Sequence, residues 1–261
     1  MIGEKEIKEF LHGIGVSSSD TVIIHSSMKA IGEISAGCDG LIDGFKAYLS
    51  DGLLLVPTHT WANVGARSPI YDVRETVPCI GALPTVAAFR PDGVRSLHPT
   101  HSIAGFGKRA EEFLFGEEKS QTPCPPGGAW ARLYDEDAYI LLVGVGLDKC
   151  TYIHAVDEII DLPGRLCTTP VSIKIIDKDV KEYFTNFCGH DSTGSRNFEV
   201  YRKPLQTLGA LKMARLGNAD VTVVRARAVK RIVEHLWKHA DHDLTKEPCE
   251  ISEEFYADFK M

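Results

Sequence analysis

The stretch YILLVGVGLDKCTYIHAVDEII, residues 139–160, decides how the chain is read. Its apolar run, 139–146, has no polar alternation and reads as a buried strand that ends in glycines. Residues 151–161 then have the spacing of a helix, so the chain passes from a central strand directly into a helix. On that helix, the residues three and four on from His154, Asp157 and Glu158, share its face. In α/β proteins, a helix entered from the carboxyl end of a central strand is a common seat of chemistry. Spacing alone leaves two readings of His154 open: a base held by a carboxylate, or a packed helix histidine bonded to a backbone carbonyl.

Upstream, the same pattern recurs. Residues 4–12 form an amphipathic helix with Ile7, Phe10 and Leu11 on one side. Thr21–Ile24 is a β-branched strand running into polar His25-Ser26-Ser27. A helix is expected over 39–49, then a second buried strand at 52–57 that ends in Thr58-His59-Thr60. Residues 58–80 lack periodicity and read as a long functional loop. A helix at 81–90, a strand at 102–106, a helix at 108–115 and a Pro/Gly-rich loop at 116–130 lead to the opening stretch. Beyond it, 171–177 and 180–184 alternate as a hairpin, followed by a helix over 203–213, a strand at 220–224 and a charged helix at 226–239. No linker or internal repeat interrupts this order. The expectation is one α/β domain over residues 1–261, a mixed β-sheet flanked by helices. Residues 1–166 would form its motif-bearing core, and the antiparallel portion would lie after residue 165, in the C-terminal third.

Composition narrows the function classes. The chain has 261 residues, 44% hydrophobic and 25% charged, which is ordinary for a globular protein. Its formal net charge of −7 argues against a nucleic-acid partner. No apolar run approaches the roughly 20 residues of a membrane span, and the charged N-terminus is unlike a signal peptide, so a cytoplasmic location is expected. The 7 cysteines are scattered without a C-x-x-C pair, which predicts reduced thiols.

Three polar strand ends, His25-Ser26-Ser27, Thr58-His59-Thr60 and the loop leading to His154, converge on one sheet edge if the strands are parallel. Each alone is also ordinary strand-end turn chemistry. His235, His239 and His242 suggest a metal set but lack the glutamate of H-E-x-x-H, so a solvated helix face is expected and no metal. His98 and His101 bracket Pro99 and are not at helical spacing. Neither a Walker loop nor a G-x-G-x-x-G turn follows a strand.

Taken in order, several segments resemble the aminoglycoside 3-N-acetyltransferase family, the acetyl-CoA-dependent antibiotic N-acetyltransferases outside the GNAT fold. They are Val22-Ile23-Ile24-His25-Ser26-Ser27-Met28-Lys29-Ala30-Ile31-Gly32, then 52–58, Gly81-Ala82-Leu83-Pro84, Arg95-Ser96-Leu97-His98-Pro99-Thr100-His101-Ser102, and Leu147 to His154. Asp161-Leu162-Pro163-Gly164-Arg165 continues the match, which is close over about residues 5–166. The resemblance implies acetyl transfer from acetyl-CoA to the 3-amino group of a 2-deoxystreptamine aminoglycoside, an activity that confers antibiotic resistance. It assigns His154 as general base, with Asp157 or Glu158 supporting it. It makes Ser26, Ser27, Lys29, Ile31, Gly32, Thr58, Arg95, Ser96, His98 and Ser102 the residues expected to hold the cofactor. Tyr71, Asp72, Asp157 and Glu158 are expected to meet the cationic sugar. No membrane partner is expected, and the expected assembly is a monomer or homodimer.

Two positions depart from the family pattern. Asp157 stands where a glutamate is usual, and Thr85 where an acid often follows the G-x-L-x element. Both bear on the acceptor, and two other functions stay open beside the first: N-acetylation of a different amine metabolite, and CoA or drug binding without turnover.

Overall fold

A computed structural model describes residues 1–191, 197–246 and 250–260. In chain order it begins with α1 (Glu4–Gly13), β1 (Thr21–Ser26), α2 (Met28–Ile31), α3 (Gly37–Tyr48), β2 (Leu53–Pro57) and β3 (Ile70–Asp72). Next come α4 (Ala82–Phe89), β4 (Val94–Arg95), β5 (Ile103–Phe106), α5 (Ala110–Phe113), α6 (Ala129–Arg132), β6 (Tyr139–Val143) and α7 (Thr151–Ile159). The last third holds β7 (Val171–Ile176), β8 (Glu182–Phe187), α8 (Arg202–Thr207), β9 (Leu211–Leu216), β10 (Ala219–Arg225) and α9 (Ala226–His239).

Seven strands form one mixed sheet in the order β4-β5-β2-β1-β6-β10-β9. Its centre is parallel, with Ile23 opposite Leu55 on β2 and Ile140 on β6. The uninterrupted apolar runs follow from burial on both faces. Ile23, Leu53, Leu55, Ile140 and Leu142 join the core under α6, α7 and α9. Val22, Ile24, Leu54, Val56, Leu141 and Val143 join the core under α1, α3 and α4. Because β1, β2 and β6 run the same way, their carboxyl ends, at Ser26, Pro57 and Val143, lie along one edge of the sheet.

The C-terminal third is antiparallel, with β10 pairing β6 and β9 pairing β10. A second antiparallel edge, β4-β5 against β2, lies in the N-terminal half, where no local pattern signals the pairing. The helix expected over 203–213 is corrected. α8 stops at Thr207, Gly209 turns the chain at φ +70°, and Leu211–Leu216 extends into β9. The backbone of β10 offers a full hydrogen-bonding ladder there, which overrides the modest helical pattern.

The 58–80 loop also holds more structure than expected, since β3 pairs in parallel with β7. With β8 it makes a second, three-stranded sheet around Val64, Tyr71, Ile173, Ile175 and Phe187. Six cysteines are free thiols, and Cys249 lies outside the described residues. Among the described residues no helix is long and apolar enough to cross a membrane.

Candidate active site

The carboxyl edge of the main sheet faces the small sheet across a cavity of about 760 Å³. One wall comes from strand ends and the residues after them: His25 and Ser26, Pro57 and His59, and Val145. The opposite wall is Val171, Ile173 and Phe187 of the small sheet, with Gly189 and His190 following β8. α7 closes one end through Thr151 and His154, and Trp61, 55% exposed, stands at the open side. Strand ends at one edge do converge, as their parallel direction requires.

His154 sits on the first turn of α7 with its ring stacked on His190, centroids 4.0 Å apart and planes 28° apart. Phe198 meets the same ring edge-on at 4.7 Å. His190 leads to a group of further histidines. His101 is 5.1 Å from His190, His59 is 4.5 Å from His101, and Trp130 packs against His59 and His25. Burial is the leading cause that holds His25 down to about 4 and keeps His59 and His101 well below the ordinary imidazole range. The cavity floor is therefore aromatic, polar and uncharged at these three rings at neutral pH.

His98 lies behind this floor. Its Nδ1 accepts the Thr100 and His101 N–H groups at 3.2 and 2.9 Å, so Nε2 carries the proton and donates to the Thr122 carbonyl at 3.0 Å. Burial again pushes this ring down, to about 4.

The two carboxylates expected beside His154 both have protein partners of their own. Asp157, 1% exposed, accepts from Arg165 Nε at 3.2 Å. Arg165 also makes a two-pronged pair with Asp243, at 2.6 and 3.1 Å, and lies over the Trp237 ring. Glu158 accepts the Thr122 hydroxyl at 2.5 Å and the Cys124 N–H at 2.8 Å, so it ties the 121–124 loop to α7. His190 Nε2 is 3.9 Å from Glu158 Oε1, the oxygen that accepts the Cys124 N–H. Burial raises the Glu158 carboxyl, against the pull of those two hydrogen bonds.

Of the residues expected to hold the cofactor, Ser26 lines the cavity. The others lie in its frame. Ser27 caps α2, accepting the Ala30 N–H. Lys29 is exposed, Ile31 is buried in the core, and Gly32 turns the chain at φ +92°. Thr58 and Ser102 are buried and hydrogen-bonded to each other at 2.8 Å, which ties the end of β2 to the start of β5. The Ser96 hydroxyl accepts the Ile103 N–H. Arg95 is sandwiched over Tyr71 and Phe89 and donates to the carbonyls of Val73, Thr76 and Thr58, so it braces the 58–80 loop. Its motif was legible; the two rings and the backbone carbonyls it meets were not.

Tyr71 and Asp72, the expected sugar contacts, also have protein partners. Tyr71 is fully buried with its hydroxyl on the Ser96 carbonyl, and Asp72 is paired to Arg74 at 2.6 Å. Thr85 sits on the exposed surface, with its hydroxyl on the Gly81 carbonyl. His190, the nearest ring to His154, carried no signal in the sequence, because it lies in an aperiodic segment after β8.

Among the described residues, no three His, Cys, Asp or Glu side chains converge as a metal-ligand set. Three polar atoms on the cavity wall, His25 Nε2, Ser26 Oγ and His59 Nε2, have no hydrogen-bond partner among the described residues. Buried polar atoms seldom stay unpaired, so these three are suited to a ligand's hydroxyl or amide groups.

The cleft sets neutral imidazoles beside a histidine on the first turn of α7, and the relatives of the chain name its kind. The family profile described as aminoglycoside 3-N-acetyltransferase matches residues 23–238, and the chain belongs to that family of acyltransferases. Aminoglycoside N(3)-acetyltransferase VII of Streptomyces paromomycinus is 26% identical over 247 residues, 84% of this chain and 85% of its own length. Aminoglycoside N(3)-acetyltransferase IX of Micromonospora chalcea is 27% identical over 247 residues, again 84% of this chain and 87% of its own. Among solved structures, a gentamicin complex of aminoglycoside acetyltransferase AAC(3)-IVa superposes with a TM-score of 0.76 at 23% identity, covering 91% of this chain and 89% of that one. AAC-IIIb with CoASH gives 0.75 at 18% identity, over 88% and 94%.

Proposed function

We propose that the chain transfers the acetyl group of acetyl-CoA to the 3-amino group of a 2-deoxystreptamine aminoglycoside, with His154 as the general base. In a cytoplasm that supplies acetyl-CoA, this would confer resistance. The observation that carries the reading is His154 itself, on the wall of a cavity of about 760 Å³ at the carboxyl edge of the parallel strands. The family profile over residues 23–238 and a CoA-bound structural neighbour support the donor.

In this mechanism His154 accepts a proton from the acceptor amine as its nitrogen bonds to the thioester carbonyl carbon. An ammonium has no lone pair to attack with, so a base near neutrality is needed. When the carbonyl re-forms, the carbon–sulfur bond breaks and His154 returns the proton to the departing sulfur. The stack of His190 and the edge of Phe198 fix the plane of the His154 ring. Asp157 and Glu158 serve by anchoring α7, the first to Arg165 and the second to the 121–124 loop. Ser26, with its unpaired hydroxyl, is a fitting partner for an amide of the pantetheine arm. Lys149, which lines the cavity and pairs with Asp148 at 2.7 Å, is a cation suited to phosphate.

The test is release of free CoA thiol from acetyl-CoA with gentamicin, tobramycin and neomycin as acceptors. Steady release with any one supports the reading. Tight acetyl-CoA binding without acceptor-dependent release rejects it in favour of binding without turnover.

A further inference from the structure

Cys167 differs from the other described cysteines. Cys124 and Cys150 belong to the core, and burial raises both thiols. Cys38 and Cys79 are half-buried, and burial raises them too. Cys188 is half-buried, whereas Cys167 is exposed and lines the cavity that holds His154.

Its place is fixed by a short antiparallel pairing of Leu166 with His190. The Cys167 N–H donates to the Gly189 carbonyl and the Asp191 N–H to the Arg165 carbonyl, each at 2.9 Å. Cys167 Sγ donates to the His190 carbonyl at 3.2 Å, and the His190 ring is stacked on His154. The thiol and the proposed base thus touch the same residue. A second observation points to a ligand in this cavity. His25 Nε2 and His59 Nε2 line it on side chains 7% and 5% exposed, and neither has a hydrogen-bond partner among the described residues. Such atoms suit the amides of a pantetheine arm, whose end carries the CoA sulfur. In the proposed reaction that sulfur must come within reach of His154, in the cavity that Cys167 shares.

We propose that Cys167 is a site of reversible covalent modification by CoA, reached through thiol exchange with CoA disulfide. The Cys167 thiolate attacks one sulfur of the disulfide, and the new S–S bond forms as the old one breaks. The second CoA leaves as a thiolate and takes up the proton that Cys167 lost. CoA disulfide is the oxidant, and half of it is reduced to CoA. The tethered CoA fills the place of the donor, so acetyl transfer stops until an added thiol reverses the exchange. The proposal rests on the acetyl-CoA reading for delivery: a disulfide held beside the thiol reacts as if intramolecular.

The full chain is incubated with CoA disulfide or, at equal concentration, with glutathione disulfide. The adduct is followed by intact mass and located by peptide mapping. One CoA per chain is expected, on Cys167, forming about ten-fold or more faster than the glutathione adduct and slowed about ten-fold by saturating acetyl-CoA. Cys167→Ser, which keeps a donor for the His190 carbonyl, should gain no CoA. Dithiothreitol should remove the adduct and restore acetyl transfer, read by the mass of the acetylated aminoglycoside. An adduct on any other cysteine overturns the proposal. So does an equal rate with glutathione disulfide in a chain that acetylates an aminoglycoside. A chain that acetylates none of them, yet takes CoA on Cys167 and is protected by acetyl-CoA, loses the acetyl-transfer reading and keeps this site.

Discussion

His154 and Glu158 are one helical turn apart, yet the structure gives them different work, and two substitutions separate them. His154→Ala removes the proposed base and leaves the rest of the cavity lining in place. Its kcat is expected to fall about 10²–10⁴-fold, with acetyl-CoA affinity unchanged, measured by CoA release and by calorimetric titration. Loss of activity through weaker acetyl-CoA binding would mark His154 as a binding group instead. Glu158 holds the Thr122 hydroxyl and the Cys124 N–H, so Glu158→Gln leaves one of those donors poorly matched. The expected cost is about 1–3 kcal/mol of stability, with kcat lowered less than about ten-fold. Urea denaturation checks the first part. A kcat loss as large as that of His154→Ala, without destabilisation, would make Glu158 the carboxylate that serves the base.

At the scale of elements, α7 is held at its far end by a buried ionic knot. Arg165, 4% exposed, joins Asp157 on α7 to Asp243 beyond α9. Hydrogen bonds from Arg165 and Thr245 hold Asp243 well below the usual carboxylate range, against the opposing effect of burial. Arg165→Leu leaves a carboxylate 1% exposed without its guanidinium partner, a change worth about 3–5 kcal/mol. The urea midpoint should drop accordingly, and Asp157→Asn in the same background should recover part of it, because the stranded charge is gone. The central strands, α7 and the terminal helix were legible because periodicity and length are local properties. Asp157 shows the limit of such reading. Helical spacing put it on the face of His154, but its partner, Arg165, comes from the turn after the helix, and Asp243 from 78 residues further on. β9 was missed for the same reason: its ladder is supplied by β10. The cavity wall made by β3, β7 and β8 depends on a parallel pairing of Ile70 with Lys174 that no local pattern encodes.

For the whole molecule, burying so many histidines has a consequence for acid stability. His25 and His98 are pushed down to about 4, and His59 and His101 well below the usual value, all chiefly by burial. Unfolded, each titrates near about 6.5. Below that pH the unfolded chain binds protons that the native state refuses, so the contribution of these rings is complete above about 6.5 and is lost as pH falls toward about 4. At His98 the reason is visible, since a proton on Nδ1 displaces two backbone donors. Glu117 opposes them. Burial raises it to about 7, against the N–H of Ala129, so its contribution is complete below about 4.5 and is lost as pH rises through about 7. Four rings outweigh one carboxyl, and the urea midpoint is expected to fall steeply between about pH 6.5 and 4.5. Glu117→Gln, which keeps an acceptor for Ala129 and cannot ionise, should raise stability at about pH 8 and make the acid fall steeper. A midpoint flat from about pH 7 to 5 would mean that water reaches the histidine floor and that the cavity is wetter than its aromatic lining requires.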